Sequence, residues 1–259
     1  MRAPGRRAGA ICLVLLHGHA SAAASDKVDE AIQELLLGRI VYPQDALELQ
    51  VTSALGAARA GGATLATAEL EVELGLTDRL QVAAEIPLAW RSPAMQPAMT
   101  QQAGLGNAEV SVLYNPLSDR ARGFAVSAGL GLAFPALSDA GTDAWGPEAF
   151  AVAYQVLGRV HLNLSVALGV ELERGTGAGT EPEVALDGSL GVFVPLGRWV
   201  PVLELRAGNE DGPAWEVSAG ALWHPIPELE LGAAIQAGLD PRSIGGLVIA
   251  TVELELADD

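Results

Sequence analysis

The chain has 259 residues, half of them apolar and 5% aromatic, with 30 glycines and a formal net charge of −17. That charge argues against nucleic acid as a partner. Its combination with a positive mean hydropathy argues against an ordinary water-soluble globule and suits a molecule that hides charge inside and shows apolar surface outside.

In chain order, the first element is a leader. Arg2, Arg6 and Arg7 precede the apolar run "AGAICLVLL", and small residues come after it in "HASAAASD". This is the pattern of a secretory signal peptide over residues 1–24, cleaved after Ala22 or Ala24, and the apolar run is too short to span a bilayer. Cys12, the sole cysteine, leaves with it, so the mature chain has no disulfide and no thiolate ligand. Losing three arginines and no acid takes the formal charge from −17 to −20. Next, "SDKVDEAIQELLLG" (25–38) reads as an amphipathic helix. Val28, Ile32, Leu35 and Leu36 share one face, Ser25 or Asp26 can cap it, and Gly38 can end it. Residues 25–44 are therefore expected as a short periplasmic helical segment, lying outside the rest of the fold rather than plugging it.

After "YPQD" the apolar period changes to two and stays there. The stretch "RVHLNLSVALGVELER" (159–174) sets Val160, Leu162, Leu164, Val166, Leu168 and Val170 against His161, Asn163, Ser165, Ala167, Gly169 and Glu171. The same parity predicts strands at 46–55, 64–76, 80–89, 105–115, 122–134, 148–157, 159–173, 183–195, 199–207, 214–224, 228–239 and 244–256. In the last of these Leu247 and Ile249 fall on the polar side. Connections alternate between tight turns, such as "TDR" at 77–79 and "LGR" at 157–159 and 196–198, and longer loops at 56–63, 90–104, 135–147, 174–182 and 208–213. Trp90, Phe134, Phe150 and Trp215 fall near the loop-side strand ends, and Tyr114, Phe124, Trp199 and Trp223 near the turn-side ends, as two interfacial girdles would. About twelve strands of roughly ten residues each, with short turns on one rim and long loops on the other, predict a closed antiparallel up-and-down transmembrane β-barrel over residues 45–259, in the outer membrane of a Gram-negative cell.

Two passages, "LGLTDRLQVAAEIPLAW" (74–90) and "GLGNAEVSVLYNPL" (104–117), resemble the outer-membrane β-barrel proteins of the meta-pathway of phenol degradation. That family pairs a strand and tight turn with a strand ending in Pro and Leu or Phe, then a long loop and a Gly-Leu-Gly motif. This chain has Asn107 where the family usually has Asp, Leu113 where a basic residue is common, and no terminal aromatic. The resemblance implies a barrel that transports small molecules, often hydrophobic or aromatic ones.

By parity the wall turns Glu69, Glu71, Glu85, Glu109, Asp187 and Glu204 into the middle of the lumen, with Arg206 and His161 as its few bases. Glu48, Glu73, Glu228, Glu230, Glu253 and Glu255 gather into an acidic arc at the periplasmic mouth once the barrel closes. A dry interior would make so many carboxylates costly, so a hydrated, acidic lumen that concentrates cations is expected. The function so predicted is an outer-membrane channel or transporter for small molecules or cations, with membrane lipid as its surroundings. A non-conducting structural barrel, a soluble secreted β-sandwich and, remotely, an outer-membrane lipid hydrolase are the alternatives. His161, Asn163 and Ser165 share one face but sit about 7 Å apart at two-residue spacing, too far for a nucleophile–base contact. No phosphate-binding loop and no zinc-like ligand spacing occurs, so no cofactor, metal or catalytic residue is assigned.

Overall fold

The structure is a computed structural model that describes residues 36, 38–39, 41–60, 63–92, 102–136, 138, 144–173, 182–209, 214–240 and 242–256. The leader at 1–24, and the predicted helix at 25–38 apart from Leu36 and Gly38, lie outside these. Thirteen strand segments come one after another: β1 (Glu48–Ala60), β2 (Ala63–Thr77), β3 (Leu80–Ser92), β4 (Gln102–Leu105), β5 (Glu109–Asp119), β6 (Phe124–Ala133), β7 (Ala144–Leu157), β8 (Val160–Glu173), β9 (Glu183–Phe193), β10 (Trp199–Gly208), β11 (Ala214–Ile226), β12 (Leu229–Asp240) and β13 (Arg242–Glu255). Sequence neighbours pair antiparallel around the ring. β13 then returns to pair with β1, from Glu48 opposite Glu255 to Ala60 opposite Ser243. β4 and β5 both pair with β3, in tandem, and so form one stave. The interruption at 106–108 is held by Gly106 N donating to Pro87 O (2.9 Å) and Asn107 Nδ2 donating to Phe134 O (2.8 Å). The result is a closed antiparallel barrel of 12 staves.

Turn chemistry sets the rims. Gly158 and Gly197 close the hairpins after β7 and β9 at φ +69°, a left-handed conformation that any side chain would resist. The "LGR" repeats therefore mark turns. The predicted loop at 56–63 is a correction: β1 runs to Ala60 and β2 begins at Ala63.

The two faces of the wall differ chemically because successive side chains point to opposite sides. On β8, Leu164, Val166 and Leu168 are each about half exposed outside, while His161, Asn163 and Ser165 are buried inside. Trp90, Tyr114, Trp199, Trp215 and Trp223 face outward and are exposed, and Trp199 and Trp223 stack at 5.7 Å. Phe124 and Phe134 share the outward parity on their stave.

Phe150 does not belong to the girdle. It points into the lumen and is 4% exposed. The parity of β7 is reversed relative to expectation: Phe150, Val152 and Tyr154 face in, and Ala149, Ala151 and Ala153 face out. The reason lies on the neighbouring strand. A Cβ added at Gly129 would sit 2.1 Å from the Phe150 ring, so the ring fills space that an inward glycine leaves open. Trp145 faces out instead, 5.3 Å from Phe134. Leu247 and Ile249 do face inward, and both are buried. The packed core is therefore the lumen itself, where Leu113, Phe193, Val200, Val202 and Leu222 join these residues.

If the outer face meets lipid, Leu164→Arg should lower the unfolding free energy measured in phospholipid vesicles by about 2–4 kcal/mol, the cost of a cation near the bilayer midplane. A loss below about 0.5 kcal/mol would show that this face meets water.

Candidate functional site

The lumen holds more than wall side chains. Before β1 the chain makes a tight turn in which Glu48 N donates to Asp45 O (3.1 Å). Leu47 adopts φ +65°, the one non-glycine residue in the left-handed region among those described. Its N–H donates to Gly75 O (2.8 Å), and its carbonyl accepts from Leu256 N (3.0 Å). The turn passes so close to β2 that a Cβ on Gly75 would meet Asp45 O at 1.7 Å. From there, back toward residue 36, the described residues run up inside the barrel. Leu36, Gly38, Arg39, Val41, Tyr42, Pro43 and Gln44 are all buried. This corrects the expectation of a periplasmic segment. The part described lies within the lumen, with bends and no helix. Its Leu36, Val41 and Tyr42 join the buried apolar cluster of the lumen.

Side chains of the wall, not a ladder, hold this segment. Gln44 N donates to Gln81 Oε1 (2.7 Å), and its Nε2 donates to Gln50 Oε1 (2.5 Å) and Glu73 Oε2 (3.2 Å). Tyr42 meets Tyr154 edge to face at 5.5 Å. Val41 O accepts from Asn115 Nδ2 (3.4 Å) and from Ser127 Oγ. Arg39 O accepts from Asn163 Nδ2 (2.6 Å), and Gly38 N donates to Glu204 Oε1 (3.2 Å). The Arg39 guanidinium lies 3.8 Å over the Phe150 ring. It pairs with Glu148 at 2.5 Å and reaches Glu109 at 3.7 Å.

The predicted acids of the lumen are placed as follows. Glu69, Glu71, Glu85 and Glu204 are buried inward, and Glu109 and Asp187 are half-buried. Arg206 Nε pairs with Asp187 Oδ2 at 2.7 Å. At the rim where β1 begins and β13 ends, Glu48 stands directly opposite Glu255, and Glu253 opposite Gln50. Glu230 stands opposite Thr251, and Glu73 opposite Gln50. The arc residues thus share adjacent staves, but they are not equally open. Glu73 and Glu230 are buried, Glu73 binding Gln44 and Gln81 and Glu230 pairing with His224 at 2.8 Å. Glu228 and Glu255 are exposed at the rim.

His161 sits in an aromatic box. Its Nδ1 is 2.6 Å from Tyr154 Oη, with Phe193 at 5.1 Å. Ser165 bonds Ser189 (2.6 Å) and Asn163 serves Arg39, so the trio's side chains turn to other partners. Three residues escaped the sequence reading. Arg39 lies on a segment with no strand period, Glu148 on the strand of reversed parity, and His224 beside a predicted turn. The signal that was present lies in Gly129 and Gly131, whose empty inward positions require a bulky neighbour.

The lumen is thus chemically mixed. Gln50, Thr52, Glu71, Glu73, Gln81 and Glu85 make β1–β3 a polar wall. Val152, Tyr154, Phe193, Val200, Val202, Leu222 and Leu247 set apolar patches on β7, β9–β11 and β13, among the polar Ser189, Glu204, Ser218 and Thr251 of the same strands. Such a space can hold a molecule with one polar and one apolar side.

No protein-family model matches the sequence, and no curated protein matches it either. Solved structures do match in fold. A crystal structure of an outer membrane channel from Pseudomonas putida F1 superposes with a TM-score of 0.67 at 13% identity, covering 83% of this chain and 98% of that one. The NanC porin superposes with a TM-score of 0.60 at 9% identity, over 79% and 100%. The KdgM porin gives 0.54 at 8% identity, over 78% and 98%. At these identities the likeness is one of fold, and the fold is that of outer-membrane barrels.

Gly75→Ala should expel the 45–47 turn and loosen the segment while leaving the barrel folded. With Val41→Cys as reporter, thiol labelling by a polar maleimide should rise about tenfold or more over the Gly75 parent, the effect of roughly 1.4 kcal/mol on a local opening equilibrium. Equal rates in the two would show that Gly75 does not govern the seat.

Proposed function

We propose that this chain is an outer-membrane channel for small solutes, exported by its leader, with residues 36–47 as the gate of its lumen. One observation carries the reading. A segment that belongs to no strand lies buried inside a closed barrel, and wall side chains bond its backbone at Gly38, Arg39, Val41 and Gln44. A wall held by ladder bonds and a filling held by side chains differ in stability, and the less stable part is the one that moves.

Three further observations support it. The fold matches solved structures described as channels and porins. The passages at 74–90 and 104–117 resemble the transporter family of the meta-pathway of phenol degradation, which makes that family the finer assignment. The inward acids, with the arc Glu48, Glu73, Glu228, Glu230, Glu253 and Glu255 at the periplasmic mouth, give a field that draws cations and repels anions. Surrounding membrane lipid meets the apolar outer belt. Closure of the sheet sets aside a β-sandwich. A non-conducting structural barrel is the second reading, favoured by how completely Gln44 and Leu36 are buried.

Conductance in planar bilayers separates the two. The chain beginning at Asp45 should conduct several-fold more than the one retaining 36–44. Its reversal potential in a KCl gradient should show cation preference, weakened by Glu228→Gln, Glu230→Gln, Glu253→Gln and Glu255→Gln together. Equal conductance of both chains would remove the gate, and silence of both, with intact heat-modifiable barrels, would establish the structural barrel.

A further inference from the structure

The seat of Arg39 is built like a binding site and is filled by the chain itself. The guanidinium rests on the Phe150 face at 3.8 Å, with Glu148 at 2.5 Å and Glu109 at 3.7 Å. This is the arrangement by which proteins recognise desolvated organic cations. Leu113, opposite Gly129 in the register, and Phe150, opposite Gly129 from the other side, form an apolar floor on one level of the barrel. Arg39 is the one base among the described residues of 36–47. The fit is also incomplete. Arg39 is 5% exposed and Asn163 1% exposed, yet Arg39 Nη1 and Asn163 Oδ1 make no hydrogen bond. A buried donor left over on the guanidinium, beside a wall amide that binds only the Arg39 backbone carbonyl, marks a site that Arg39 occupies without satisfying.

Resting on the gate described above, we infer that this seat is the binding site of the transported solute: an organic cation, a guanidinium or primary amine on an apolar stem, which takes the place of Arg39 and so releases the segment. The argument is one of differential binding. Withdrawing Arg39 takes away the guanidinium that Glu148 and Glu109 share, at a place where their side chains are no more than 23% exposed, which opposes opening. A neutral or anionic solute cannot relieve that cost, so it cannot shift the equilibrium toward the open state. A cation with a stem relieves it and also covers Phe150 and Leu113. A ligand moves a two-state equilibrium only through such a difference in affinity. A bare inorganic cation satisfies the carboxylates and leaves the ring and the floor uncovered.

The test uses the chain from residue 25 onward, which contains no cysteine, with Val41→Cys as its single thiol, refolded in vesicles. n-Butylguanidinium should raise the rate of labelling by a polar maleimide about tenfold, whereas equimolar KCl, n-butanol and butyrate should leave it unchanged. Adding Glu109→Gln with Glu148→Gln should raise the basal rate and abolish the response. Phe150→Leu, which keeps the apolar filling, should raise the half-saturating concentration roughly fivefold. Should the cysteine variant fail to fold, n-butylguanidinium opening of the unsubstituted chain in planar bilayers, and its block of current through the chain beginning at Asp45, report the same binding. A response to n-butanol or KCl equal to that to n-butylguanidinium, or one retained in the double Gln variant, overturns the inference. If the chain beginning at Asp45 conducts more but n-butylguanidinium neither blocks it nor speeds labelling, the gate stands and the cation site falls. If the two chains conduct alike, both fall.

Discussion

In the hydrocarbon of a membrane, a backbone N–H or C=O that loses its partner finds no water, and each such loss costs several kcal/mol. A sheet there can have no edge. The seam between β1 and β13, running without a break from Glu48–Glu255 to Ala60–Ser243, is therefore the contact on which the rest of the molecule depends. Closure settles which face is which. The outward parity must be apolar along every stave, and the charge of the chain has nowhere to go but inward and to the rims. Twelve staves also set a radius at which wall side chains alone do not meet across the middle. The barrel creates an interior that something else has to fill.

What fills it obeys the same accounting by different means. The segment at 36–44 brings backbone groups into a closed space without joining a ladder. Asn115 and Ser127 donate to Val41, Asn163 donates to Arg39, and Gln81 and Glu204 accept from Gln44 and Gly38. These polar residues sit inward on β3, β5, β6, β8 and β10, so their meaning lies in the segment rather than in water. The wall is held by repeated main-chain bonds between neighbours. The segment is held by a few long-range contacts, each made by one side chain. The two are held by different means, and the left-handed Leu47 beside Gly75 is where one becomes the other.

Alternation made the staves legible. On β8 each outward position is a branched aliphatic and nearly every inward one is polar or tiny, so one strand shows both the membrane and the lumen. β7 gave no such contrast. Ala149, Ala151 and Ala153 alternate with Phe150, Val152 and Tyr154, and hydropathy cannot orient a strand whose two faces are both apolar. The information was on β6, where Gly129 and Gly131 leave gaps, and it becomes readable only once the pairing of β6 with β7 is known. The wet lumen was inferred from acids without bases, counted over strands alone. Arg39 enters from a stretch with no period, and it changes that balance at the point where Glu109 and Glu148 converge. Leu247 and Ile249, which spoil the alternation of β13, were a trace in the sequence of an apolar inner wall, as were Leu113, Val200, Val202 and Leu222 at inward positions of their strands.

That mixed interior constrains what the barrel can admit. The segment satisfies both walls at once. Gln44 bonds to Gln50, Glu73 and Gln81 on β1–β3, Tyr42 packs against Tyr154 on β7, and Arg39 joins a carboxylate to an aromatic face. A small inorganic ion in its place would match the carboxylates but leave water against Phe193, Val200 and Leu222. A plain hydrocarbon would cover those residues and offer nothing to the carboxylates. On the proposed gate, a solute that is polar on one side and apolar on the other replaces both sets of contacts, and a positively charged one answers the sign of the field. On the proposed gate, the segment at 36–44 is thus the template for the chemistry of any solute that replaces it.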